Sequence, residues 1–100
     1  MILEHAVLQV DPSQSARFAA AFDVARTIIS EVPGFIRLRL SHCLESPERY
    51  LLLVEWEDVE SHTIGFRKSP GYEKWRELLH HFYEPFPTVE HYSTVLEVGR

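Results

Sequence analysis

The run Leu51-Leu52-Leu53-Val54 constrains this chain more than any other stretch. It lies inside Tyr50 to Glu57, between the turn residues Glu45-Ser46-Pro47-Glu48 and Asp58, a residue suited to capping a helix. Such bounds mark a strand, and a strand sends alternate side chains to opposite faces. Four apolar residues in succession are therefore apolar on both faces, which predicts a central strand in a sheet covered twice.

The rest of the chain supplies cover for one face. Ile2 to Val10, rich in aliphatic and β-branched residues, reads as a first strand. Asp11 then serves as N-cap with Pro12 at the first helical position and Gln14 completing an approximate capping box. Phe18, Phe22, Ala25, Ile29 and Val32 form one apolar face at helical spacing, and Pro33-Gly34 ends it. Phe35 to Cys43 alternates, with Ile36, Leu38 and Leu40 on one side and Arg37, Arg39 and Ser41 on the other. After the central strand, Asp58 opens a second helix in which Val59, His62 or Thr63, and Phe66 share a face. Ser69-Pro70 restarts it, with Tyr72, Trp75, Leu79 and Phe82 inward and Glu73, Glu77 and His81 outward. Beyond the Pro85/Pro87 turn, Val89 to Val98 alternates and reads as a last strand.

The order β-α-β-β-α-β predicts an α+β, ferredoxin-like fold: a four-stranded antiparallel sheet with both helices on one face. The bare face is apolar too, and its simplest cover is a second copy of the same sheet, a homodimeric α+β barrel. At 100 residues with 45% hydrophobic side chains the chain is one domain whose small core gains from such a partner. A net charge of −5 argues against nucleic acid as a partner. The N-terminus lacks a signal-peptide pattern, no stretch is long enough to span a membrane, and the lone Cys43 suits a reducing compartment; a cytoplasmic location is expected.

Val54-Glu55-Trp56-Glu57 ends the third strand. Trp56-Glu57-x4-His62-x3-Phe66-Arg67-x-Ser69-Pro70 runs on from it, and Trp75-Arg76 and His91-Tyr92 follow. In this order the chain resembles the antibiotic biosynthesis monooxygenase (ABM) domain from about Ile2 to Ser93, with residues 94–100 as the end of the last strand and a tail. The resemblance implies a dimeric barrel with a pocket between sheet and helices, in which better-known members oxygenate phenolic or quinol-like molecules without flavin or metal. Haem-degrading relatives use an Asn on the first strand, a Trp in the second helix and an axial His. Those places fall here on His5 or Ala6, on Phe66 and near Arg76, so haem degradation is not expected. Polyketide-cyclising relatives share a first-strand His, matched by His5, but their Tyr and His fall near Phe66 and Tyr72, so cyclase chemistry does not carry over.

His62 is the first candidate catalytic group, because an imidazole facing a core can stay neutral and accept a proton. The alternative is a structural histidine that hydrogen-bonds the sheet or a partner. His91, on the last strand with its face undetermined, is the second candidate and would bond a developing oxyanion. Trp56, Phe66, Tyr72 and Trp75 could wall a flat aromatic substrate, or simply be core. Arg37 and Arg39 fit interface ion pairs with Glu55 or Glu57 better than an anion site.

No metal or cofactor is expected. Glu77-x-x-His80 is half of a di-iron motif that needs two copies. His80 and His81 diverge by about 100° on a helix. His42 and Cys43 face opposite sides of a strand, which leaves Cys43 as a small buried hydrophobe. The chain lacks a phosphate-cradling glycine loop and a nucleophile elbow. The resemblance, with which these absences agree, implies a cofactor-independent monooxygenase acting on an aromatic, quinol-like or polyketide-like molecule in a ring-sized hollow. A non-catalytic small-molecule-binding or stress-response barrel is the alternative.

Overall fold

The computed structural model describes residues 1–100. Its regular elements are β1 (Ile2–Gln9), α1 (Ser15–Ile29), β2 (Phe35–His42), β3 (Arg49–Trp56), α2 (Pro70–Leu79) and β4 (Glu90–Tyr92). A π-helical turn, Ser61–Phe66, precedes α2, and 3-10 turns cover Pro12–Gln14 and His80–Phe82. The strands form one antiparallel sheet in the order β2-β3-β1-β4, the ferredoxin-like arrangement.

Alternation along β1 and β3 sorts the chain into two layers. Ala6, Leu8 and Val10 of the first segment and Tyr50, Leu52, Val54 and Trp56 of β3 are buried beneath the helices. Phe18, Phe22, Ala25 and Ile29 of α1 and Trp75 and Leu79 of α2 meet them, so both helical faces read from the periodicity point inward. Each large apolar side chain buried in this way contributes about 1.5–3 kcal/mol. On the opposite sheet face Leu3, Val7, Leu51 and Leu53 are half-buried.

Four local expectations are corrected. Asp11 does cap, accepting from the Ser13 N–H at 2.9 Å, but Pro12–Gln14 winds as a 3-10 turn and α1 starts only at Ser15. A register shift between Phe35 and Arg37 turns Ile36 outward, 38% exposed, while Phe35 packs edge-on against Trp56. The segment after Asp58 is not an α-helix: Arg67 N–H reaches the His62 carbonyl at 3.1 Å, a π-type bond. The last strand stops at Tyr92, well short of Val98, because Tyr92 already pairs with Leu3, near the start of its only neighbour, β1. Beyond it Val95, Leu96 and Val98 are exposed.

Candidate functional site

The site begins with a carboxyl group in an apolar row. Glu4 shares its side of β1 with Ala6 and Leu8 and is only 6% exposed. In the sheet it pairs with Val54 on β3 and with His91 on β4. The indole N–H of Trp56 donates to Glu4 Oε1 at 2.9 Å, which ties the acid to the end of β3.

The π-helical turn delivers the imidazole. Asp58 Oδ1 accepts from the backbone N–H of Ser61 at 2.8 Å and from its hydroxyl at 2.7 Å, anchoring the start of the turn. Gly34, at a φ of 91°, lies so close to Ser61 that a side chain there would overlap the serine. The turn sends His62 and Phe66 inward, where His62 stacks on Trp56 with ring centres 5.5 Å apart. Such π-type distortions recur at functional sites.

His62 uses both ring nitrogens. Nε2 lies 3.4 Å from Glu4 Oε1, and Nδ1 shares a hydrogen bond with His91 Nε2 at 2.8 Å. Burial, reinforced by the positive charge of Arg67 and by His91, pushes His62 down to about 3. The ring is therefore neutral at physiological pH, and its contact with Glu4 is not an ion pair. Burial raises the Glu4 carboxyl above its ordinary range, opposed by the Trp56 hydrogen bond and by Arg67. His91 is lowered by burial and then by Arg67. Burial also holds the Tyr83 phenol well above its usual value, with Tyr72 and Glu4 adding to the effect.

A cleft of about 50 Å³ opens beside these groups. Glu4, Leu8 and Leu52 form its sheet side, His62, Phe66 and Arg67 its π-turn side, and Tyr72 and Trp75 its α2 side. His80, Tyr83, Phe86 and Val89 close the remaining wall. The volume suits a few water molecules and is below the roughly 150 Å³ that holds a benzene ring. The ring-sized hollow expected from the sequence is thus largely filled by side chains.

Of the candidates, His62 and His91 are brought into direct contact, and Phe66, Tyr72 and Trp75 line the cleft. Trp56 does not; it is fully buried behind Glu4. His91 is also outside the lining, with Nε2 turned onto His62, so the oxyanion-binding position expected of it is not where the strand puts it. Glu4 was missed by the sequence reading. Its signal was parity, a carboxylate on the same side of the strand as Ala6, Leu8 and Val10.

Elsewhere Arg37 Nε pairs with Glu55 at 3.2 Å on the outer sheet face. Cys43 is half-buried rather than fully enclosed. No three His, Cys, Asp or Glu side chains converge as metal ligands, and no helix is long and apolar enough to cross a membrane.

A ferredoxin-like sheet with a partly polar cleft between it and its helices defines a class of small α+β proteins rather than one activity. Comparison with known proteins narrows the class. The family model for antibiotic biosynthesis monooxygenase matches residues 1–78. The uncharacterized protein YczJ of Bacillus subtilis strain 168 is 50% identical over 95 residues, covering 95% of this chain and all of that protein. A Bordetella bronchiseptica protein provisionally classed as an antibiotic biosynthesis monooxygenase is 35% identical, with a TM-score of 0.89 over 95% of this chain and 97% of that one. SnoaB, a cofactor-independent oxygenase from Streptomyces nogalater, shares the fold at 17% identity, with a TM-score of 0.80 over 99% and 97% of the two chains. This chain belongs to the antibiotic biosynthesis monooxygenase family.

Proposed function

We propose that this protein is a cofactor-independent monooxygenase for an aromatic, enolisable small molecule of the quinol or anthrone type. The observation that carries the reading is a neutral, buried His62 in contact with Glu4 at the polar end of a cleft walled by Phe66, Tyr72 and Trp75. Removal of a proton leaves an electron-rich carbanion or phenolate, and such an anion can itself pass one electron to dioxygen. The protein then has to supply deprotonation and a site shielded from water. In this scheme the polar group of Glu4, His62 and His91 handles the proton, and the walls of the cleft, which at about 50 Å³ is below ring size, part to admit and orient the ring.

The same reading includes a homodimer in the cytoplasm, with the outer sheet face carrying Leu3, Val7, Leu51 and Leu53 against a second copy. Fold likeness to SnoaB supports the oxygenase reading only at the level of architecture. Oxygen uptake with a panel of anthrones and hydroquinones, wild type against His62→Ala, tests it. Substrate-dependent uptake that falls at least tenfold in the variant is expected; equal rates remove His62 from the mechanism. The small volume of the cleft favours one second reading, a non-catalytic binding or stress-response barrel, for which ligand binding without oxygen uptake is the expected result.

A further inference from the structure

His62 Nδ1 is bonded to His91 at 2.8 Å and its Nε2 lies 3.4 Å from Glu4 Oε1, so the imidazole is turned toward the carboxyl group. The carboxyl group of Glu4 presents its other oxygen. Its Oε1 receives the Trp56 indole N–H and the His62 contact, the one side-chain hydrogen bond of Glu4 is on that oxygen, and Glu4 belongs to the lining. We propose that Glu4 is the catalytic residue that takes the acidic proton of the substrate on Oε2, with Trp56 and His62 holding Oε1 from behind as positioning residues.

This inference rests on the oxygenase reading and gives that site its base. The substrate C–H bond breaks, an O–H bond forms on Glu4 Oε2, and the electron pair stays on the substrate as the carbanion. Transfer of one electron to dioxygen and recombination give the peroxide anion, which takes the proton back from Glu4. Loss of water from the resulting hydroperoxide leaves a carbonyl, so that CH2 plus O2 becomes C=O plus H2O and Glu4 is regenerated. A carboxyl group whose affinity for protons is raised by burial is better matched to a weak carbon acid than an ordinary surface carboxylate. The groups facing it are His62 from the π-helical turn, Arg67 just after it, His91 from β4, Tyr72 from α2, and His80 and Tyr83 beyond α2. The inward face of α1 brings only Phe18, Phe22, Ala25 and Ile29.

The test separates deprotonation from oxygen chemistry. Wild-type protein is incubated without oxygen in D2O with an anthrone, and exchange at its acidic carbon is followed by NMR. Catalysed exchange is expected in wild type and a loss of about 100-fold in Glu4→Gln, whose amide oxygen still accepts from Trp56. With a phenol acidic enough to be ionised beforehand, oxygen uptake by Glu4→Gln should stay within a few-fold of wild type, a rescue that a merely structural role would not produce. Should Glu4→Gln fail to fold, 13C-carboxyl titration of Glu4 in wild type must show the same midpoint as the pH profile of exchange. No exchange by wild type, undiminished exchange by the variant, or mismatched midpoints would overturn the assignment. Exchange that depends on Glu4 without any oxygen uptake would instead retain Glu4 as base and remove the oxygenase reading.

Discussion

His62 Nδ1 and His91 Nε2 lie 2.8 Å apart, although the two residues come from a π-helical turn and the edge strand of the sheet. Their bond closes a line of polar contacts that starts at the Trp56 indole and passes through Glu4 Oε1 and the His62 ring. The line runs from the most enclosed end of β3 to a half-buried histidine.

The pH dependence of stability should carry two contributions of opposite sign. His62 titrates near 6.5 when unfolded and near 3 when folded, so between those values the unfolded chain binds the extra proton and stability falls as pH drops. His62→Gln should flatten that acid decline by up to about 1.4 kcal/mol per pH unit, measured by urea denaturation from pH 7 to 4. Glu4 is raised instead; its contribution is complete below the ordinary carboxylate range and is lost as pH climbs through the folded value. Glu4→Gln should therefore gain stability relative to wild type as pH rises. Parallel curves for all three proteins would contradict both assignments.

Trp56→Phe keeps the ring but deletes the N–H that Glu4 Oε1 accepts. A buried acceptor left without its donor costs about 1–3 kcal/mol, and the carboxyl titration should move further upward, because that hydrogen bond pulls it down. Combining the change with Glu4→Leu should cost less than the sum of the two single losses, read from a double-mutant cycle.

Gly34→Ala puts a Cβ into the space of the Ser61 side chain at a positive φ. A loss of about 1–3 kcal/mol is expected from the backbone alone. Because Ser61 opens the turn that carries His62, the imidazole 15N shifts should change as well, and Gly34→Ala with Ser61→Gly should restore them. Unchanged shifts in the single variant would mean that the turn holds its place independently of Gly34.

Phe86 is 61% exposed and packs against His80 at the wall of the cleft, with ring centres 5.0 Å apart. Removing it should open the cleft with less than about 1 kcal/mol of destabilisation, as expected of an exposed side chain. Phe86→Ala should bind aromatic rings more tightly, measured by quenching of tryptophan fluorescence. An unaltered affinity would place ring entry elsewhere.

Leu53→Asp sets a charge on the half-buried outer face of β3. If that face is the dimer surface, sedimentation velocity at micromolar concentration should show a dimer for wild type and a monomer for the variant. A wild-type monomer would remove the proposed assembly.

Much of the fold was legible because periodicity reports which faces need cover. The α1 face from Phe18 to Ile29, the α2 face from Tyr72 to Leu79 and the central place of β3 all follow from local spacing. Local spacing failed where a partner segment decides. The bulge that turns Ile36 outward depends on β3, and the early stop of β4 depends on where β1 begins. Glu4 escaped notice because a carboxylate within an otherwise apolar alternation is uninformative until its neighbours are known.

Amino-acid order alone determined the sequence of strands and helices, the inward stripe of aromatic residues and the family likeness carried by Trp56, His62 and Phe66. Only the tertiary structure decided that Trp56 serves an acid on β1, that His91 turns onto His62, and that the cleft is narrow. The physical reason is range. Propensity and alternation act between residues a few positions apart, whereas the hydrogen bond from Trp56 to Glu4 joins groups 52 positions apart and exists only once the sheet has set its register.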